Sequence, residues 1–136
     1  MTEEESNEPG FGVSQLTIEA RPTAGAAVRR ALVDWIDGHP RLDDVLLAIT
    51  ELVNNAVLHG GLGPGDVLTV TVAPDGKLTR FTVGHAGVLF ELNELPPSSR
   101  EPGASRGLAI VDRIADVWGV DSDGVEVTAW FEVGSA

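Results

Sequence analysis

From Leu42 to His59 the chain reads LDDVLLAITELVNNAVLH, and its apolar residues recur at helical spacing throughout. Leu42, Val45, Leu46, Ile49, Leu52, Val53 and Ala56 form a wide apolar stripe. A helix with so broad a face must lie on a second layer, and Gly60 is placed to cap its end. Glu51, Asn55 and His59 fall four residues apart, in one row at the edge of the stripe. Such a row either looks into a cleft or is only the polar flank of a core helix. Leu47 and Leu58 lie on the far side and call for another surface to cover them.

The rest of the chain supplies the second layer. FGVSQLTIEA, with Phe11, Val13, Leu16 and Ile18 apolar, reads as a strand. RPTAGAAVRRALVDWIDGHP reads as a helix, with Pro22 in its first turn, Trp35 as a core anchor, and Gly38 and Pro40 as the stop. DVLTVTVAP and KLTRFTVG alternate as strands about a hairpin turn at PDG. Residues 91–104 carry Pro and Ser and read as a mobile loop; SRGLAIVDRIADVWG reads as a third helix with Trp118 inward, and VEVTAWFEV as a closing strand. The expected fold is a two-layer α/β sandwich of the α+β class, its mixed, mostly antiparallel sheet carrying helices on one face. Residues 1–10, MTEEESNEPG, read as a disordered acidic tail ahead of a single domain over 11–136.

Composition removes several functions. A net charge of −12 argues against direct nucleic-acid binding, which draws on clustered Lys and Arg. No apolar run approaches the roughly 18 residues of a membrane span, and no signal segment opens the chain, so a cytoplasmic protein with no membrane partner is expected. Three scattered His and no Cys offer no metal-ligand cluster. No Ser stands in a Gly-x-Ser-x-Gly elbow.

ELVNNAVLHG, followed in order by TVGHAGVLF, SRGLAIVDRIADVWGV and VTAWFEV, resembles the GHKL ATPases, the group of gyrase, Hsp90, histidine kinases and MutL. Within that group the chain is most similar to the small serine-protein kinases that act as anti-sigma factors, over about residues 11–133. The resemblance implies Glu51 as general base and Asn55 as a Mg²⁺ ligand, with ATP as cofactor. It implies that position 85 reads the adenine amino group, that Gly87 lets the backbone approach the nucleotide, and that Thr128 lies near the adenine. It also implies that Ser105, Arg106 and Gly107 meet phosphates at a helix start, with residues 91–104 as the lid.

Two positions depart from that pattern. An Asp is expected where His85 stands and a Gly where Leu89 stands. A neutral imidazole accepts through one nitrogen only. Loss of a charge-assisted hydrogen bond costs about 1.5–3 kcal/mol, or one to two decades of affinity. Ser105 likewise replaces a family Gly and, on its own, reads as a helix N-cap. The sequence therefore supports an anti-sigma-type regulator that binds a sigma factor, a STAS-type anti-anti-sigma protein or both, with ATP binding weakened or lost. The alternative is an active Mg-ATP-dependent serine kinase of the anti-anti-sigma protein. A third reading, an unrelated adaptor sharing only helix periodicity, would show a different strand order. A homodimer is expected from the resemblance alone.

Overall fold

A computed structural model of the chain describes residues 13–59, 62, 65–86 and 102–134, without the side chains of 59 and 102–107. The elements run β1 (Ser14–Glu19), α1 (Ala24–Trp35), α2 (Leu42–His59), β2 (Val67–Asp75), β3 (Leu78–Ala86), α3 (Pro102–Ile114), β4 (Val117–Ser122) and β5 (Glu126–Gly134). The expected tail over 1–10, Gly87, Leu89 and the expected lid up to residue 101 lie outside the described residues.

The strands form one sheet in the order β1-β2-β3-β5-β4, and each neighbouring pair is antiparallel. Strands β3 and β4 run the same way on either side of β5. Helix α3 connects those two strands, so the unit is a βαβ crossover split by the last strand.

Alternation decides which face of the sheet meets the helices. Leu68, Val70, Val72, Phe81, Val83, Val127, Phe131 and Val133 are buried together with Val28 and Leu32 of α1, Val45, Ile49 and Val53 of α2, and Leu108 and Val111 of α3. Phe81 and Phe131 face each other across the β3–β5 pair and stack at 4.9 Å between ring centroids. Each such side chain, fully buried, contributes about 1.5–3 kcal/mol. The β2–β3 hairpin closes through Gly76 and Lys77, with Gly76 at φ 67°, a conformation that glycine adopts without a Cβ penalty.

The third helix differs from its sequence reading at both ends. It begins at Pro102, inside the expected loop, and ends at Ile114. Proline fits a first helical position because the N–H it lacks has no helical partner there. Ser105, Arg106 and Gly107 therefore sit within the helix, and Ser105 is not its N-cap. At the far end the Ala115 N–H bonds back to Val111, while the Asp116 N–H turns to the Glu132 carbonyl of β5. From there Val117–Ser122 is a strand, and Trp118 packs inward from β4 rather than from a helix. The segment fits both periods, and pairing with β5 decides between them.

Candidate functional site

Helix α2 crosses the sheet with Leu52, Asn55 and Ala56 over β3, and together with Leu108 of α3 these residues roof a small cavity. Its floor is Val83 and His85 of β3, Val127 and Ala129 of β5, and Val120 of β4. Among the described residues its volume is about 20 Å³, the scale of one water molecule. Asn55 and His85 are the two polar side chains in an otherwise apolar lining.

His85 is 4% exposed. Its Nδ1 lies 3.0 Å from the Ala86 carbonyl oxygen. A carbonyl only accepts, so Nδ1 carries the proton and donates, and Nε2 of the neutral ring is left as an acceptor. The carbonyl thus fixes which ring nitrogen carries the proton.

Glu51 stands one turn before Asn55 on α2, half-buried and outside the cavity lining. The i, i+4 spacing keeps both on one side of the helix. On the other side Asn54 and Thr50 press against α1 at Gly25, where a β-carbon would stand 2.7 Å from Asn54 Oδ1. The two adjacent asparagines thus have different tasks: Asn54 packs the helix pair and Asn55 faces the cavity.

Thr128 does not join this group. It pairs with Gly84 across β3 and β5, and its Oγ1 lies 3.6 Å from where a Gly84 β-carbon would be, on the face of the sheet away from the helices. The residue opposite His85 is Val127. Strand alternation is the reason: Val127, Ala129, Phe131 and Val133 share the inner face, so Thr128 cannot. The alternation read across VTAWFEV already puts Val127 and Thr128 on opposite faces.

Ser105, Arg106 and Gly107 belong to the first half of α3, their side chains lying outside the described residues, and Leu108 directly after them lines the cavity. Among the described residues no cluster of three His, Asp or Glu is placed to hold a metal ion, and no helix is long and apolar enough to cross a membrane.

A sheet flanked on one face by three helices, with the asparagine of a Glu-x-x-x-Asn helix over the sheet centre, defines the class as a GHKL-type ATPase fold. Residues 18–131 match the family described as the histidine kinase-like ATPase domain, and the chain belongs to that family. Among solved structures it is similar to the RsbU and RsbW domains of Rv1364c from Mycobacterium tuberculosis, at TM-score 0.64 and 24% identity over 90% of this chain and 32% of that one. It is also similar to the histidine kinase domain of the blue-light activated kinase EL346 from Erythrobacter litoralis, at TM-score 0.58 and 16% identity over 82% and 60% of the two chains. The Acinetobacter baumannii histidine kinase AdeS follows at TM-score 0.52 and 11% identity, over 90% of this chain and 68% of that one. The chain thus spans about a third of the length of Rv1364c that was compared. No curated protein sequence matches it.

Proposed function

We propose that this chain is a regulatory protein of the anti-sigma type that controls transcription by binding a sigma factor, a STAS-type anti-anti-sigma protein or both, and that its hold on ATP is weakened or lost. The observation that carries the reading is His85: a buried imidazole faces the Asn55 cavity where the family resemblance implies a carboxylate. A charge-assisted bond to an adenine amino group is worth about 1.5–3 kcal/mol, and a bond to a neutral acceptor about 0.5–1.5 kcal/mol. Leu47 and Leu58, 43% and 72% exposed and eleven residues apart on the outer side of α2, suit contact with a protein partner.

Asn55 offers the hard amide oxygen that a Mg²⁺ ion takes, and it lies at the cavity, so it would hold the metal of a bound Mg-ATP. That group would supply a phosphoryl for transfer. Glu51, one turn away, would then take the proton of an acceptor serine. This arrangement favours the second reading, an active serine kinase.

Calorimetric titration of Mg-ATP and Mg-ADP into the wild type and into His85→Asp separates the two. Affinity that rises by one to two decades in His85→Asp supports the regulator with a weakened site. Equal, micromolar binding by both proteins rejects it. Transfer of labelled phosphate to a cognate anti-anti-sigma protein, above the level of Glu51→Ala, would establish the kinase. Failure to bind either a sigma factor or an anti-anti-sigma protein rejects both readings.

A further inference from the structure

We infer that a second pocket, between the end of β1 and the last turn of α2, is a docking site for an arginine side chain of a protein partner. Among the described residues this pocket shares no lining residue with the Asn55 cavity, so it stands apart from any reading of that cavity as a nucleotide site.

Its volume is about 400 Å³, within the range of pockets that enclose a ligand. Ala20, Pro22, Val57 and Leu62 give it apolar walls, and Glu19 and Arg21 stand among them. The backbone holds one wall in place. The Ala20 N–H donates to the Asp66 carbonyl at 2.9 Å, which ties the end of β1 to the residue before β2.

Three features select a cation. Val57 belongs to the last turn of the 18-residue α2, and the C-terminal end of a helix carries partial negative charge. The Glu19 carboxylate lies in the lining. The chain as a whole carries a net charge of −12, which draws in basic partners. Glu19 is ion-paired with Arg21, but their side chains are 48% and 67% exposed, and a pair so exposed is weak and exchanges readily. A carboxylate also accepts several hydrogen bonds, so Glu19 has room for a second guanidinium.

The apolar walls suit the stem of a long side chain whose charged head meets Glu19. Arginine fits better than lysine, because its planar fork matches a carboxylate and is less strongly hydrated than an ammonium. Leu58, the next residue of α2 and 72% exposed, adds apolar surface at the same helix end.

Amide NMR titration with N-acetyl-arginine amide, and with the lysine and norleucine analogues, tests the site. The arginine probe is expected to bind with a Kd on the order of 1 mM, the reach of so small a ligand, and to shift the amides of Ala20, Val57 and Leu62. The two analogues are expected to bind several-fold more weakly. Glu19→Gln should weaken the arginine probe about threefold, and Arg21→Gln, which removes a like charge and frees Glu19, should strengthen it by a similar factor. Neither variant should alter the response to the norleucine probe or the thermal midpoint. Equal binding of the three probes, charge variants without effect, or no shift at those three amides overturns the inference. Any of these results leaves the anti-sigma reading intact, since that reading is tested by binding of a sigma factor or an anti-anti-sigma protein.

Discussion

The indole of Trp130 on β5 rests against Gly119 of β4, so closely that a β-carbon at Gly119 would stand 2.9 Å from Trp130 Cζ2. The ring is held from several sides. Its Nε1–H donates to Asp121 Oδ2 at 3.1 Å, and the Arg80 guanidinium stacks 4.0 Å from the ring centroid. Gly119→Ala is therefore expected to destabilise the fold by about 1–3 kcal/mol through overpacking. Denaturant unfolding followed by tryptophan fluorescence would read it, and an unchanged midpoint would mean that the ring moves aside freely.

Val127 and Thr128 are neighbours on opposite faces of the sheet, and substitution should tell them apart. Val127→Thr buries a hydroxyl in an apolar lining and is expected to cost about 1–3 kcal/mol. Thr128→Val, on the outer face, is expected to change stability by no more than about 0.5 kcal/mol. Thermal unfolding of the two variants checks this, and equal losses would contradict the assigned faces.

How far the sequence is legible follows from such pairs. Helix α2 has the bounds its periodicity predicts, because a seven-residue apolar stripe leaves no other period that fits. Strand β4 was hidden because Trp118 stands four residues after Ile114 and also alternates with Val120, so helix and strand both bury it. The shared side of Glu51 and Asn55 is legible because i, i+4 geometry is local. The face that Thr128 takes is not, because a motif letter carries no face and only the register with β3 assigns one.

His39, in the turn between α1 and α2, accepts the Arg41 N–H at Nδ1, 3.0 Å away. Burial first, and the Arg41 charge second, lower its pKa from the ordinary 6.5. The folded protein binds that proton less tightly than the unfolded chain does, so the contribution of the neutral ring is present above pH 6.5 and is lost as pH falls below it. His39→Asn should flatten the decline in thermal midpoint between pH 7 and pH 5. A decline as steep as that of the wild type would place the titrating group elsewhere.

Glu132 is buried on the outer face of β5, with Arg80 Nε 3.6 Å from its Oε2. A hydrogen bond with Asp75, then burial, then the Asp75 charge raise its pKa above the ordinary 4.5, against the opposing charge of Arg80. Here the folded protein holds the proton more tightly, so stability at this locus is present below pH 4.5 and is lost as pH rises through the folded value. Asp75→Asn should raise the thermal midpoint at pH 7 more than at pH 4. An equal change at both pH values would show that the pair does not titrate.

Insertion of β5 between β3 and β4 sets an order on biosynthesis. Everything up to α3 leaves the ribosome before β5 exists, and β1, β2 and β3 can already pair with α1 and α2 above them. Strand β4 then waits, because its one neighbour in the sheet is β5. The floor under Asn55 is finished by Val127 and Ala129, so the cavity comes into being after β1, β2, β3, α1 and α2 have packed. A nascent chain stalled before Glu126 would have a sheet and two packed helices but no chamber under Asn55 for a ligand to enter.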